Sequence, residues 1–399
     1  MTTYELGRAP RIIAGEMVLD ALAGAIEATG ATSAVLIVDE AVALTGYSAR
    51  VAKALGGMAF VEHIVPQGEP TVASVNAAAD VVRSNSGPVV IGIGGGSALD
   101  TAKQAAVVGV AASGVEPYVL CANPFVGRRP IFAIPTTSGT GAEVTRTCIL
   151  SDADGRKLWT WGDEMLPDVV LLDPTAAMTM PVHVTAATGL DAFVHALEAC
   201  SGQRRNVLSD APAIHALRLV AEHLPTAVAD GTNLAARQGM QEAALLAGTA
   251  IDNCGTGIAH SIGHALGSLY HLPHGVAVAI GLDAAIDWNV HGATDAFAAA
   301  AIAFNASPSD VPAVLRDLFT ATAFASVVCR FPELPLDAAA IADTMIAVEN
   351  QPMVNNNCRV PNDSERRSLA ELTVESWTRL RMSSRRGPTR PTRPIEELA

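Results

Sequence analysis

The stretch VVIGIGGGSALDTAK (residues 89–103) decides the fold expected for this chain. It opens with a run of apolar, β-favouring residues, passes through three consecutive glycines, and continues with helical periodicity from Ala98. Glycines let backbone N–H groups approach a phosphate closely, and a helix N-terminus adds partial positive charge. We therefore predict a buried strand, a phosphate-binding turn and a helix that Ser97 or Asp100 caps. The spacing is not the GxGxxG of ordinary dinucleotide folds, and a tight turn without a ligand can produce the same pattern.

Strand and helix signals alternate on both sides of this turn. Apolar runs lie at 34–38, 60–65, 88–94, 131–135 and 168–173, and helix-like stretches lie near 41–55, from Thr71 and from Ala98 to about Val110. Such alternation predicts a parallel sheet flanked by helices. From about Pro181, stretches rich in Ala and Leu with a period of three to four residues dominate. We predict an α/β dinucleotide-binding domain over residues 1–180 and an all-helical metal-binding domain over residues 181–382.

A second polar loop supports a nucleotide site at the sheet edge. PTTSGTGAEVT (135–145) follows the strand IFAI, and ligands of open α/β sheets bind beyond the carboxyl ends of the strands. Its hydroxyls can bond a phosphate, a ribose or a carboxamide, although a hydroxyl-rich loop can also only cap its own turns. Asp39 ends the strand AVLIV, where a carboxylate favours NAD over NADP or, alternatively, caps the next helix.

Composition excludes several classes of protein. The chain has 399 residues, half of them hydrophobic, and a net charge of −14, which argues against non-specific nucleic-acid binding. No apolar stretch is long enough to span a membrane and no apolar leader is present, so we expect a cytoplasmic protein. Six scattered cysteines without a CxxC pair indicate reduced thiols. Residues 383–399 form a basic, Pro-rich tail that we expect to be disordered.

Metal-binding side chains concentrate in two segments of the second half. In GLDAFVHALEAC (189–200), Asp191 and His195 are four residues apart and share one helix face, and GIAHSIGHALGSLYHLPHGVA (257–277) contains four of the ten histidines. An aspartate with several imidazoles suits Fe²⁺, Zn²⁺, Co²⁺ or Ni²⁺. A single histidine on an apolar helix is more often a core residue. Spacing does not decide which histidines bind, and HxxxH alone would pair His260 with His264.

These segments, together with GGGSALDTAK and PTTSGTGAEVT, resemble the iron-containing (group III) alcohol dehydrogenase family from about residue 8 to about residue 380. The resemblance implies the dehydroquinate synthase-like architecture of an α/β nucleotide-binding domain followed by an all-α C-terminal domain. It implies a divalent metal, Fe²⁺ before Zn²⁺, on Asp191, His195, His260 and His274, and a catalytic role for His264 near the substrate. It also implies NAD, before NADP, on these residues: Asp39, Gly95, Gly96, Ser97, Thr136, Thr137, Thr140, Thr145 and Lys157. The stretch QGEPT (67–71) departs from the family pattern, so we assign no ribose contact there.

The implied activity is hydride transfer between a small alcohol or aldehyde and NAD(H), in a homodimer or larger homo-oligomer. One alternative is a reductase of a carboxylated or phosphonylated aldehyde or keto acid, of the hydroxybutyrate or maleylacetate type. Arg146, Arg204 and Arg205 could then recognise the anionic end, although surface solvation is their more usual role. A dehydroquinate synthase-like lyase is a further alternative, but it needs a cluster of Lys and Arg that the helical metal segments lack.

Overall fold

The structure is a computed structural model that describes Tyr4 and residues 7–384. The chain divides into two compact units, residues 7–179 and the part that begins at Met180. Each unit is described by itself.

The first unit is built on a parallel sheet, which confirms the predicted α/β class. Its described strands run in the order β1-β8-β5-β4-β2-β3, and a separate antiparallel hairpin joins β6 to β7. The strands are β1 (Arg11–Ala14), β2 (Ser33–Asp39), β3 (Phe60–Val65), β4 (Pro88–Gly94), β5 (Ile131–Pro135), β6 (Thr147–Ser151), β7 (Lys157–Trp161) and β8 (Val169–Leu172). The helices are α1 (Leu22–Glu27), α2 (Glu40–Ala43), α3 (Tyr47–Ala54), α4 (Val72–Ser84) and α5 (Gly96–Val108).

Both faces of this sheet are covered, because alternate residues of its central strands enter different clusters. Leu36 and Ile91 belong to one hydrophobic cluster, and Ile37 and Val90 belong to another. Strands buried on both faces are apolar along their whole length, which is why the runs at 34–38 and 88–94 were readable in the sequence. The parallel register brings the carboxyl ends of β2, β4 and β5 to one edge of the sheet.

Two local predictions in this unit are wrong. The helix expected near 41–55 is split into α2 and α3, because Gly46 adopts a φ of +78° and begins a new helix. Neither Ser97 nor Asp100 caps α5, whose N-cap residue is Gly95. The carboxylate of Asp100 instead accepts the backbone N–H of Ile149, at 2.8 Å, in the β6–β7 hairpin.

The second unit is helical throughout its described residues, as predicted. Its helices are α6 (Val182–Ser201), α7 (Val207–Ala229), α8 (Leu234–Cys254), α9 (Ile258–Tyr270), α10 (His274–Gly292), α11 (Ala298–Ala303), α12 (Val311–Ala321), α13 (Phe324–Val328), α14 (Ala338–Met345), α15 (Gln351–Asn356) and α16 (Asp363–Ser384). One continuous hydrophobic cluster runs through the unit and contains the buried faces of α6 to α10.

The C-terminal tail predicted over residues 383–399 begins within α16 and, from residue 385, lies outside the described residues. All six cysteines are free thiols in the described chain. Over the same residues, no helix combines the length and the apolar character needed to cross a membrane.

Candidate active site

The glycine turn lies at the edge of the sheet where β4 ends. Gly95 is the N-cap of α5, and its lack of a side chain leaves the first turn of the helix without a side-chain cap. Gly96 and Ser97 form that first turn, and the carbonyl of Ser97 accepts the Thr101 hydroxyl at 2.8 Å. An uncapped helix N-terminus after a buried parallel strand is suited to binding a phosphate group.

The second polar loop packs directly against this turn. The backbone N–H of Thr136 donates to the carbonyl of Gly94 at 2.9 Å, which joins the loop to the end of β4. A Cβ at Gly96 would lie 2.8 Å from Thr140 Cγ2, and a Cβ at Gly95 would lie 3.1 Å from Thr137 Cγ2. The two loops predicted to bind the cofactor are therefore neighbours, and their contact requires glycine at residue 96.

Asp39 adjoins the same edge, because β2 pairs with β4. Its carboxylate accepts the backbone N–H of Ala41 at 2.8 Å and of Val42 at 3.3 Å, so it caps α2. The helix-cap alternative for Asp39 is thus observed. One carboxylate oxygen makes both bonds, and this role does not prevent the other oxygen from accepting a ribose hydroxyl.

Of the remaining two predicted cofactor residues, Lys157 begins β7 and Thr145 ends the second polar loop, just before β6. Lys157 is buried, and its ammonium pairs with the Glu69 carboxylate at 2.6 Å. Glu69 also accepts the Ser151 hydroxyl at 2.8 Å, so the departing QGEPT segment is tied to the hairpin. The Thr145 hydroxyl donates to the carbonyl of Thr147 at 3.4 Å.

A buried lysine, which the sequence analysis did not single out, joins helix α5 to the second polar loop. The Lys103 ammonium, on α5, donates to the carbonyls of Ala142 at 2.9 Å and Thr147 at 3.0 Å, and it lies 3.4 Å from Asp100. The helix that begins at the glycine turn therefore holds the far end of the second polar loop. The signal available in sequence was a charged pair three residues apart in an otherwise apolar helix.

Glu143, in the second polar loop, is only 2% exposed. Burial raises the pKa of its carboxyl to about 7, because removal from water disfavours the charged form, while Lys103 acts in the opposite direction. Between its ordinary pKa and this value the folded protein binds more protons at Glu143 than the unfolded chain does. The free energy of unfolding therefore falls as the pH rises through this range.

We predict that Glu143→Gln removes part of this pH dependence. Between pH 5 and pH 8 the metal-free wild-type protein should lose about 1–3 kcal/mol more of its free energy of unfolding than the variant does. Urea titrations at the two pH values measure the difference. Glu27→Gln, at an exposed carboxyl of the same unit, should follow the wild type. Parallel loss in wild type and Glu143→Gln would contradict the assignment.

In the helical unit, four predicted metal ligands come together. Asp191 and His195 lie one turn apart on the buried face of α6, His260 lies in the first turn of α9, and His274 is the first residue of α10. One ligand atom from each residue lies within 4.8 Å of the other three. Gly275 permits the approach of α10 to α6, since a Cβ there would lie 2.4 Å from the carbonyl oxygen of Ala187.

The donor set fits a divalent metal. His195 Nε2 and His274 Nε2 lie 3.8 Å and 3.6 Å from Asp191 Oδ1. These separations are close to the distance of about 3.4 Å between ligand atoms around a tetrahedral ion with bonds of about 2.1 Å. Asp191 Oδ1 and His260 Nε2 are buried and have no hydrogen-bond partner among the described residues. Unpartnered buried polar atoms are costly, so a ligand shared by these atoms would remove a penalty. The side chain of His274 is 30% exposed, which leaves one side of the cluster open.

His264 lies one turn beyond His260 on α9 but has a different partner. Its Nδ1 is 3.1 Å from the side-chain oxygen of Asn350, and its ring centroid is 5.8 Å from that of His274. The amide group of Asn350 donates to the carbonyl of Thr344 at 2.9 Å, which fixes its oxygen toward His264. In the neutral imidazole, this bond places the proton of His264 on Nδ1 and the lone pair on Nε2.

The sequence analysis missed two partners of these histidines, Asn350 and Glu198. Glu198 lies on the same face of α6, seven residues after Asp191, and one of its oxygens is 2.6 Å from His260 Nδ1. That spacing was a readable signal for Glu198. Asn350 is 86 residues from His264 in the chain, and nothing in the sequence linked the two.

The three arginines considered for an anionic substrate all have protein partners. Arg204 donates to the carbonyl of Cys254 at 3.2 Å, Arg205 pairs with Asp210 at 3.3 Å, and Arg146 pairs with Asp163 at 3.2 Å. These contacts give each guanidinium a structural role within its own unit.

An α/β unit with an open glycine turn, followed by a helical unit with an Asp/His cluster, is the arrangement expected of a nicotinamide-linked oxidoreductase that carries a metal site. Comparison with known proteins agrees. Residues 9–174 match the iron-containing alcohol dehydrogenase family, and residues 185–328 match the C-terminal region of the same family.

Relatives of known activity cover most of the chain. A sulfoacetaldehyde reductase of Bilophila wadsworthia (strain 3_1_6) is 31% identical, over 92% of this chain and 98% of the relative. An NAD-dependent methanol dehydrogenase of Bacillus methanolicus is 32% identical, over 72% of this chain and 77% of the relative. The crystal structure of a sulfoacetaldehyde reductase from Bifidobacterium kashiwanohense in complex with NAD⁺ is 26% identical, with a TM-score of 0.82, and covers 93% of this chain and 98% of that chain.

The chain belongs to the iron-containing alcohol dehydrogenase family. Membership of this family makes it an oxidoreductase of the alcohol dehydrogenase type. The lyase alternative gains no support from these matches.

Proposed function

We propose that this protein is a metal-dependent alcohol dehydrogenase and aldehyde reductase whose divalent ion, Fe²⁺ before Zn²⁺, is held by Asp191, His195, His260 and His274. The observation that carries the proposal is the convergence of these four ligand atoms within 4.8 Å, two of them buried and unpartnered among the described residues. The ion, when bound, polarises the oxygen of an alcohol or carbonyl substrate, and NAD(H) accepts or supplies the hydride.

The chain's own residues supply positioning and proton transfer. His264 Nε2 accepts the alcohol proton in the oxidation direction and returns it in the reduction direction, because its Nδ1 is already committed to Asn350. The glycine turn and the second polar loop bind the cofactor through Gly95, Gly96, Ser97, Thr136, Thr137 and Thr140. Asp39, Thr145 and Lys157 complete the proposed cofactor contacts, with Asp39 favouring NAD over NADP.

The test combines elemental analysis of the purified protein with a spectrophotometric screen of alcohols and aldehydes against NAD(H) and NADP(H). We expect about one divalent ion per chain and turnover with NAD(H) that exceeds turnover with NADP(H). One ion per chain without turnover across a broad panel would refute the enzymatic proposal.

An aldehyde with an anionic end is a second candidate substrate. Its support is the 31% identity to a sulfoacetaldehyde reductase across nearly the whole chain. The arginines named above are engaged elsewhere, so they do not add to this support. The screen should therefore include matched pairs of aldehydes that differ only in a carboxylate, phosphonate or sulfonate group.

We further propose a cytoplasmic homo-oligomer, a dimer or larger. The free thiols of all six cysteines support a reducing compartment, and light scattering of the purified protein would give the oligomeric state.

Contact between the two cofactor loops predicts that a side chain at residue 96 weakens NADH binding. In Gly96→Ala the new methyl would press on Thr140, whose rotamer is fixed because its hydroxyl accepts the backbone N–H of Ala142 at 3.2 Å. Overpacking of about 1–3 kcal/mol corresponds to a Kd for NADH that rises roughly 5- to 150-fold. Fluorescence titration with NADH measures the change, and metal content should not fall.

Two further variants locate the cause of this loss. Thr140→Ser in the Gly96→Ala background removes the nearest methyl and should recover part of the affinity. Gly24→Ala places a methyl in open space on α1 and should leave NADH binding unchanged. Wild-type affinity in Gly96→Ala would show that this turn does not bind the cofactor.

A further inference from the structure

Glu198 is a buried carboxylate that receives three short hydrogen bonds. Its two oxygens accept the backbone N–H groups of Gly257 and Ala259, each at 2.7 Å, and one of them lies 2.6 Å from His260 Nδ1. The residue is 5% exposed, so these bonds face little competition from water. Burial alone requires only that a carboxylate be paired. Three hydrogen bonds also fix the position of the Glu198 carboxylate relative to the groups that donate to it.

The two backbone bonds indicate which member of the Glu198–His260 pair carries the shared proton. Because both carboxylate oxygens already accept N–H groups, Glu198 acts as an acceptor, and His260 Nδ1 must donate to it. The lone pair of the neutral imidazole then lies on Nε2. That nitrogen is buried and has no hydrogen-bond partner in the described part of the chain.

The same carboxylate joins two ligand-bearing helices. Glu198 lies on the face of α6 that carries Asp191 and His195. The N–H groups that bond to it belong to the N-cap residue and the first turn of α9, which carries His260. Its bonds therefore set both the orientation of the imidazole and the separation of the ligands from α6 and α9. Asn357 supports the same turn from another side, since its side-chain oxygen accepts the Ile258 N–H at 3.2 Å.

We propose that Glu198 is a positioning residue of the metal site: its carboxylate holds His260 as the Nδ1–H tautomer, with Nε2 directed toward Asp191, and locks α9 to α6. This inference rests on the proposed metal site. A carboxylate behind a ligating histidine fixes the ring and raises its basicity, and loss of such a partner weakens metal binding about 10- to 100-fold.

The first test is Zn²⁺ affinity of the metal-free, full-length protein, measured by competition with a chelator. Glu198→Gln should bind Zn²⁺ about 10- to 100-fold more weakly than the wild type. The glutamine NH₂ group is a donor, and it would face an N–H donor where the wild-type carboxylate has an acceptor oxygen. Glu371→Gln, at an exposed glutamate of α16, should keep the wild-type affinity. Equal Zn²⁺ affinity in Glu198→Gln and wild type would overturn the inference.

Asn357→Ala separates orientation of the imidazole from support of the helix. It removes an acceptor from the first turn of α9 and should lower the melting temperature, yet its Zn²⁺ affinity should stay within about threefold of wild type, well short of the loss expected for an outer-sphere partner of a ligand. A loss in Asn357→Ala as large as in Glu198→Gln would mean that Glu198 acts only as a helix cap, and would refute the positioning role.

The second test uses the wild-type protein and does not depend on whether a Glu198 variant folds. Long-range ¹H–¹⁵N spectra of histidine-labelled, metal-free wild-type protein should show His260 as the Nδ1–H tautomer, with His260→Gln used only to assign the signal. The opposite tautomer would refute the inference even if zinc binds. Failure of the wild-type protein to bind Zn²⁺ at all would instead remove the proposed metal site, and the inference with it.

Discussion

His260→Ala should lose bound metal and turnover together. The substitution removes one of four ligands whose atoms lie within 4.8 Å of one another, and the remaining three come from the first turn of α10 and one face of α6. The first turn of α9 then contributes nothing to the site. We expect metal content to fall from about one ion per chain to near zero, and kcat/KM to fall at least about 10³-fold, as the Lewis-acid contribution of several kcal/mol disappears.

Thermal denaturation gives an independent measure of this loss. A metal that binds only the folded protein raises its melting temperature in proportion to the logarithm of metal concentration over Kd. Added Zn²⁺ should raise the melting temperature of metal-free wild type but not that of His260→Ala. His271→Asn is the matched control, because His271 is an exposed residue at the C-terminus of α9 with a φ of +55°, which asparagine tolerates. Turnover by a metal-free His260→Ala protein would refute the metal-dependent mechanism.

The sheet was predictable because its strands are buried on both faces. Residues 34–38 and 88–94 are continuous apolar runs that end at Asp39 and Gly94, so their type and limits were readable without tertiary information. The four-residue edge strand β1 and the hairpin β6–β7 gave no such signal. β1 is largely exposed, and the hairpin strands are five residues long with mixed burial. Short elements of this kind depend on the partners they pair with.

The metal cluster was predictable in part, because helical spacing is local and its partners are not. The separation of four residues placed Asp191 and His195 on one face, and the structure has them so. The same spacing would have paired His260 with His264, whereas the cluster instead includes His274, from the following helix. The family resemblance, rather than periodicity, had suggested that choice. The partner of His264 is Asn350, which a distant segment brings to it.

The glycine turn shows a different limit of sequence reasoning. A helix cap by Ser97 or Asp100 was expected from residue preference alone. In the structure Asp100 bonds the β6–β7 hairpin, and the helix begins at a glycine. The local rule fails where the helix N-terminus is kept free of side chains, and such local conflicts are expected at functional sites.

His264→Ala should retain the metal and turn over much more slowly. His264 is not among the four clustered ligands, so its removal leaves Asp191, His195, His260 and His274 in place. It does remove the proposed proton acceptor, Nε2, which is the unprotonated ring nitrogen when Nδ1 donates to Asn350. Loss of a positioned general base typically costs about 10²- to 10⁴-fold, so we expect kcat to fall in that range with metal content unchanged.

The role of proton transfer can be separated from that of packing with His264→Phe. His264 is only 7% exposed, so an alanine leaves a cavity that could disturb the neighbouring ring of His274. Phenylalanine fills most of that volume but has no nitrogen to accept a proton. Under the proposed mechanism it should be about as slow as the alanine variant, since the missing 10²- to 10⁴-fold comes from proton transfer. Recovery of wild-type kcat in His264→Phe would assign the residue to packing, and the proton would then have to reach solvent by another route.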